Sequence, residues 1–351
     1  MAGIGALAAM KAEASVAYVS PEEPGIRRRR RGKGFSYLDP AGATIADRDI
    51  LARIRALVIP PAWSAVWICP DPCGHIQATG RDAKGRKQYV YHPSFRAIRE
   101  TNKFGHLVAF ATGLPLLRRQ IAADMALRGL PREKVLATVV HLLELTLIRV
   151  GNESYAKENG SYGMTTMRDG HVDIAGERLR FVFRGKSGRE WNVEVHDRRL
   201  ARIVRSCQEI PGERLFQYYD ATGARQTLSS SDVNAYLRNA TGRDVTAKDF
   251  RTWAATVLMA QTRRERAGEG PPSKREVKAM IARVAARLGN TLAVCRASYI
   301  HPDVLSACEE GRSILTGAAR VRDRTTDLDA DEAAVLAFLR RAVPEVRRKA
   351  A

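Results

Sequence analysis

The stretch SKREVKAMIARVAARLGNTLAVCRASY runs from Ser273 to Tyr299. Its first four residues form a capping-box pattern, a serine followed three positions later by a glutamate, which opens a helix. Apolar residues then fall at Val277, Met280, Ile281, Val284 and Leu288, the spacing of one buried helical face. Gly289 suits the position just past the helix end, where the backbone turns left-handed. After the glycine comes an amide, Asn290, and nine residues later a tyrosine, Tyr299, in a basic neighbourhood. A tyrosine so placed either closes a helical core or offers a reactive phenol, and the rest of the chain has to decide between the two.

Upstream, the second half is mainly helical. Pro131 opens a helix through Ile148, with Val135, Val139, Leu142, Leu143 and Leu147 on its buried side. It ends at Arg149-Val150-Gly151-Asn152-Glu153-Ser154-Tyr155, where an arginine either caps carbonyls or stands as a fixed cation in a cleft. A hairpin follows: Leu179, Phe181 and Phe183 alternate with arginines, and Trp191, Val193 and Val195 alternate with polar residues. Its turn, Gly185-Lys186-Ser187-Gly188, carries a lysine at the tip. The Gly-Lys-Ser sequence is not a phosphate loop, because Arg180 stands where that motif needs a glycine and the turn leads into a strand. Residues 198–206, 229–240 and 246–266 read as helices, broken at Pro211-Gly212 and between Gly268 and Pro272. The third contains Lys248-Asp249-Phe250-Arg251. A further helix is expected from Asp331 to Arg341.

The first half reads differently. Residues 1–33 have the composition of a disordered basic tail, with five consecutive arginines, Arg27 to Arg31. Such a run is a solvated tail, a flexible phosphate-binding arm, or both. Helical periodicity covers Asp47 to Leu57, and strands are expected at Ala65–Ile68 and His75–Thr79 around a Pro70–Gly74 turn. Then Gly80-Arg81-Asp82-Ala83-Lys84-Gly85-Arg86-Lys87-Gln88-Tyr89-Val90-Tyr91-His92 is a basic turn running into a strand on which Tyr89 and Tyr91 share a face. Basic residues there would grip phosphates, Gln88 could reach a base edge, and the tyrosines could line a groove; solvated lysines and a core tyrosine pair are the plainer alternative. Gly113-Leu114-Pro115 reads as a linker. The expected fold is α+β: a small β-rich amino-terminal domain (34–112), a larger mainly α domain (113–305) and an extension of it (306–351).

A chain of 351 residues with 58 Lys+Arg against 38 Asp+Glu carries a formal charge of +20, spread along its length, which favours a polyanionic partner and nucleic acid first. The five cysteines are scattered and odd in number, as in a reducing cytosol. Cys69, Cys73 and His75 find no second cluster to complete a metal site. No apolar run is long enough to span a bilayer.

In chain order the second half offers Arg149, Lys186, Lys248-x-x-Arg251, Asn290 and Tyr299. Transfer of a DNA phosphodiester to tyrosine needs this set. The pentacoordinate transition state gains charge on its non-bridging oxygens, which two guanidiniums can clamp and an amide N–H can support. Preaimed donors of this kind contribute about 3 kcal/mol each. The 5′ alkoxide is too basic to leave alone, so a lysine serves as general acid. Arginine and lysine supply the positive charge, so neither metal nor cofactor is expected.

Together, Gly80–Tyr91, Arg149–Tyr155, Phe183–Lys186, Lys248–Arg251 and Gly289–Tyr299 resemble the poxvirus-like type IB DNA topoisomerases in their bacterial form, over roughly residues 35 to 305. The resemblance implies a monomer that closes as a C-shaped clamp on duplex DNA. It implies that Tyr299 forms a 3′-phosphotyrosyl bond, Lys186 protonates the leaving 5′-OH, and Arg149 and Arg251 stabilise the transition state. Asn290 stands where viral relatives carry histidine, and it would hydrogen-bond a non-bridging oxygen without being able to act as an acid. Lys248, Asn152 and Tyr155, and in the amino-terminal domain Arg81, Lys84, Arg86, Gln88, Tyr89 and Tyr91, would bind DNA. It further implies relaxation of supercoils without ATP or metal, by a cytoplasmic, nucleoid-associated enzyme. Two alternatives compete. A tyrosine recombinase usually carries His-x-x-Arg where this chain has Lys248-x-x-Arg251, and lacks the Gly80–Tyr91 stretch. An architectural DNA-binding protein has no need of the five catalytic residue types in order.

Overall fold

A computed structural model describes residues 16–32, 34–266, 270–315 and 327–348. The chain divides into two units, one of residues 1–103 with 345–351, the other of 104–344.

The first unit holds an antiparallel five-stranded sheet of β1 (Ile26–Arg31), β2 (Gly34–Leu38), β3 (Ser64–Ile68), β4 (Ile76–Arg81) and β5 (Lys87–Tyr91), in the order β2-β1-β3-β4-β5. The arginine run, expected in a disordered tail, is therefore strand β1; residues 1–15 and Lys33 of that expected tail lie outside the described residues. It pairs with β2 from Arg27↔Leu38 to Arg31↔Gly34 and with β3 through Arg27↔Trp67. Alternation resolves the apparent conflict between charge and order. Ile26 enters the core, and Arg28 donates to the carbonyls of Pro60 (3.1 Å) and Trp63 while lying 4.2 Å over the Phe35 ring. Arg27, Arg29, Arg30 and Arg31 remain exposed. Helix α1 (Arg48–Ala56), capped by Asp47, supplies Ile54 to a core of Ile26, Val66, Ile68 and Ala78.

Helix α2 (Pro93–Met125) runs unbroken through Gly113-Leu114-Pro115, so no linker exists there, and the division into units falls after Lys103 instead. An internal proline costs about 3 kcal/mol and a glycine about 1 kcal/mol. Burial of Leu107, Phe110, Leu114, Leu117, Ile121 and Met125 along one stripe contributes about 1.5–3 kcal/mol each and outweighs both.

The second unit continues with α3 (Arg132–Thr146), α4 (Glu153–Asn159), and an antiparallel meander of β6 (Val172–Ala175), β7 (Arg178–Arg184) and β8 (Glu190–His196). Then come α5 (Arg198–Gln208), a hairpin of β9 (Gln217–Tyr219) and β10 (Arg225–Thr227), α6 (Ser230–Thr241) and α7 (Ala247–Arg264). The last elements are α8 (Lys274–Leu288), α9 (Leu292–Ser298), α10 (Pro302–Glu309) and α11 (Ala330–Arg348). Strand β6, the β9–β10 hairpin and helices α4, α9 and α10 were not legible in the sequence. Helix α7 is central: Phe250, Trp253, Val257 and Ala260 are buried, and it packs on α3, α6, α8 and α10. The architecture is α+β, a β-rich amino-terminal part followed by a mainly helical remainder. Among the described residues no helix is long and apolar enough to cross a membrane.

Candidate active site

Four helix ends converge on one point. Helix α3 stops at Leu147, whose left-handed backbone (φ 58°) turns the chain so that it delivers Arg149. The Arg149–Gly151 strap is held by Met164 N–H donating to the Arg149 carbonyl (2.8 Å) and Thr165 N–H to that of Val150 (2.7 Å). Gly163 permits this approach, since a Cβ there would lie 2.5 Å from the Arg149 oxygen. Helix α7 presents Arg251, only 3% exposed. Helix α8 ends as the sequence indicates: Gly289 takes φ 65°, its N–H reaching the Ala286 carbonyl (3.2 Å) and that of Asn290 the Ala285 carbonyl (3.0 Å). Helix α9, capped by Thr291, carries Tyr299 at its carboxy-terminal end, where the tyrosine N–H donates to Cys295 and its carbonyl accepts from Thr256 Oγ1 (3.4 Å).

The side chains then meet. Asn290 Oδ1 accepts from Arg149 Nη2 (2.6 Å) and Arg251 Nη2 (3.4 Å), so one amide oxygen holds two like-charged guanidiniums together. Arg251 also donates to the carbonyls of Leu147 and Leu288, the latter at 2.6 Å, and lies 5.2 Å from the centre of the Tyr299 ring. Burial, then the nearby Arg149 charge, lower the Arg251 pKa to about 10, which leaves it a cation at neutral pH. Burial alone would push the Tyr299 phenol up. Arg251, by charge and hydrogen bond, with Arg149 and Lys248 behind it, overrides burial and holds the phenol below its ordinary value. Two donors in this cluster, Asn290 Nδ2 and Arg251 Nε, are buried without a partner. A buried donor left unpaired is costly, and a pair of them beside a cation-activated phenol fits a site built for an anion.

Arg149, Arg251, Asn290 and Tyr299 are thus brought together, and the exposed Lys248 acts on Tyr299 through its charge. Lys186 is exposed at the β7–β8 tip, in a single 3₁₀ turn (Lys186–Gly188) where Ser187 takes φ 64°. Asn152 spends its side-chain oxygen capping α4 through Tyr155 N–H (3.2 Å), and Tyr155 is half-exposed.

In the first unit Asp82 organises the basic turn. Its carboxylate accepts from the N–H groups of Lys84 (2.9 Å) and Arg86 (3.0 Å), from Arg86 Nε (2.8 Å) and from Gln88 Nε2 (2.9 Å). The Arg86 side chain foremost holds the Asp82 carboxyl down at about 2. Gln88 is therefore oriented by an acid. Arg81 donates to the Gly85 carbonyl (2.8 Å), while Tyr89 and Tyr91 stack in parallel at 5.8 Å, with Lys87 over the Tyr89 ring. Lys84 is exposed. Asp82 was missed as a site-shaping residue, although an aspartate ahead of a glycine-containing turn signals this bonding; Thr256 carried no such signal.

Residues 92–318 match the family model described as eukaryotic DNA topoisomerase I, catalytic core, and residues 34–82 that of the bacterial DNA topoisomerase IB amino-terminal domain. DNA topoisomerase 1B of Acanthamoeba polyphaga mimivirus is 32% identical over 286 residues, which cover 79% of this chain and 85% of that protein. The chain belongs to the type IB DNA topoisomerases. Among relatives of this topoisomerase, DNA topoisomerase 1B of vaccinia virus (strain Copenhagen) is 21% identical over 237 residues, 66% of this chain and 72% of the viral one. A solved complex of the XerH site-specific recombinase with its difH substrate aligns with a TM-score of 0.35 and 11% identity, over 56% of this chain and 51% of that one, too distant to decide anything about it. The two family matches favour the topoisomerase reading over the recombinase one.

Proposed function

We propose that this type IB topoisomerase relaxes duplex DNA through Tyr299. The Tyr299 oxygen, as the phenolate that the surrounding cations favour, attacks the scissile phosphorus, the P–O5′ bond breaks, and religation expels it again as the phenolate. Lys186 gives its proton to the departing 5′ oxygen, and the 3′ phosphate stays on the tyrosine. The free 5′ end swivels, then attacks the phosphotyrosyl bond and returns the proton to Lys186. Arg149, Arg251 and the Asn290 amide bind the non-bridging oxygens as their charge grows, and Lys248 contacts phosphate beside the scissile bond. The carrying observation is the pair of buried, unpartnered donors, Asn290 Nδ2 and Arg251 Nε, next to a phenol whose pKa is held down by cations.

Arg81, Lys84, Arg86, Gln88, Tyr89, Tyr91, Asn152 and Tyr155 serve as DNA contacts in this reading. The enzyme works as a monomeric clamp at the nucleoid in the cytoplasm, without metal or nucleotide. The test is a duplex labelled on either side of the nick site. Wild-type protein should become covalently attached only to the fragment that ends in the 3′ phosphate, and Tyr299→Phe should lose the adduct while keeping its DNA affinity. An adduct that persists in Tyr299→Phe overturns the assignment.

A further inference from the structure

We propose that Trp191 is a positioning residue that fixes the Lys186 turn against the segment carrying Asn290; the inference rests on Lys186 being the proton donor. Lys186 sits exposed on a turn, and a general acid misplaced by about 1 Å can lose on the order of 10²-fold in rate. Something must therefore hold the base of that turn. Trp191, on β8, is 7% exposed and stacks in parallel on Phe183 of β7, with ring centres 6.1 Å apart and 5° between planes.

Two glycines press on adjoining edges of its indole, one on each ring. A Cβ on Gly185, the residue before Lys186, would lie 2.7 Å from Trp191 Cδ1 and Nε1. A Cβ on Gly289, the residue before Asn290, would lie 2.6 Å from Trp191 Cζ2. Gly289 is also demanded by its positive φ, but Gly185 has φ −96°, which any residue adopts, so its bare backbone answers to the indole alone. The five-membered ring meets the lysine turn and the six-membered ring meets the asparagine segment. Phenylalanine lacks the second, fused ring and so the atoms of one of the two contacts. The turn is closed by Gly185 N–H donating to Arg189 (2.7 Å) and Gly188 N–H to Gly185 (3.1 Å), so a shift of its base carries Lys186 along.

The test compares single-turnover cleavage of an ordinary duplex with one holding a 5′-bridging phosphorothiolate at the scissile bond, whose thiolate leaves without a proton. Trp191→Phe, with Lys186→Ala as the reference, should slow the ordinary substrate by at least about tenfold, leave DNA affinity unchanged, and recover to near the wild-type rate on the sulfur substrate. Gly185→Ala, which drives a Cβ into the indole from the turn side, should show the same pattern and serves if Trp191→Phe folds poorly. Equal slowing on both substrates by the Trp191 and Gly185 variants, with Lys186→Ala rescued, removes the Trp191 role alone. Failure of sulfur to rescue Lys186→Ala removes the acid assignment and this role with it.

Discussion

Asn290 uses its two ends differently: the oxygen draws Arg149 and Arg251 together, and the nitrogen is left buried and unpaired. If that nitrogen meets a phosphate oxygen, Asn290→Ala should lower the cleavage rate by about 100-fold. Asn290→Asp should be worse, although a carboxylate would pair with both arginines more strongly, because it removes the donor and repels the phosphate. A residue that merely braced the arginines would rank the two variants in the opposite order in the same single-turnover assay. Tyr299 gives a second prediction. Its pKa lies below the ordinary phenol value because cations favour the phenolate, so the reactive form is favoured above that lowered value. Arg149→Gln removes one of those cations, and the pH of half-maximal cleavage should move up; an unchanged or lower midpoint contradicts the electrostatic account. Every member of this cluster was legible in the sequence as a residue type in order. The bridging was not, because Arg149 and Asn290 stand 141 residues apart and only packing reveals that one amide serves two arginines.

At the level of elements, helices α3, α7 and α8 were readable from apolar spacing and caps, as with Ser273, Gly289 and the buried stripe of α8, whereas α9, which carries Tyr299, was not. Two elements were misread for the same reason: a local compositional signal was outweighed by burial. Five arginines suggested disorder, yet pairing into the sheet turns one into a bonded staple and leaves the other four exposed. A proline and a glycine suggested a break, yet the α2 stripe buries enough apolar surface to carry both. The arginine strand has its own consequence. Arg27, Arg29 and Arg31 present ordered charge on exposed positions of one strand. Replacing all three with glutamine should weaken DNA binding and flatten the log–log salt dependence by about 0.9 for each phosphate that is no longer neutralised. The nicking rate at saturating enzyme should stay the same. An unchanged salt slope would make these arginines a solvated face and nothing more.

Across the whole molecule, the helical unit is tied together by ions as well as by its core. Arg118 on α2 makes a bidentate pair with Glu332 on α11, both bonds at 2.9 Å, and donates to Glu144 on α3 (2.8 Å), while Trp253 of α7 donates to the same Glu332 (3.1 Å). Burial would raise the Glu144 carboxyl, but His141 and Arg118 override it and hold it low. Arg118→Met leaves two largely buried carboxylates without their arginine and should destabilise this unit by about 3 kcal/mol in denaturant melts. Because the folded Glu144 pKa is depressed, its contribution is present above the ordinary carboxylate range and fades as pH falls through the folded value. The deficit of the variant should therefore shrink on acidification; a constant deficit would mean that lost packing, not charge, is the cause. In the proposed reaction arginine, lysine and an amide carry the phosphoryl transfer to Tyr299 unaided. Negatively supercoiled plasmid, incubated with the protein in excess EDTA and without nucleotide, measures it directly. Full relaxation by the wild type and none by Tyr299→Phe is the predicted result, and relaxation that requires a divalent metal or ATP, or that survives in Tyr299→Phe, would contradict the account.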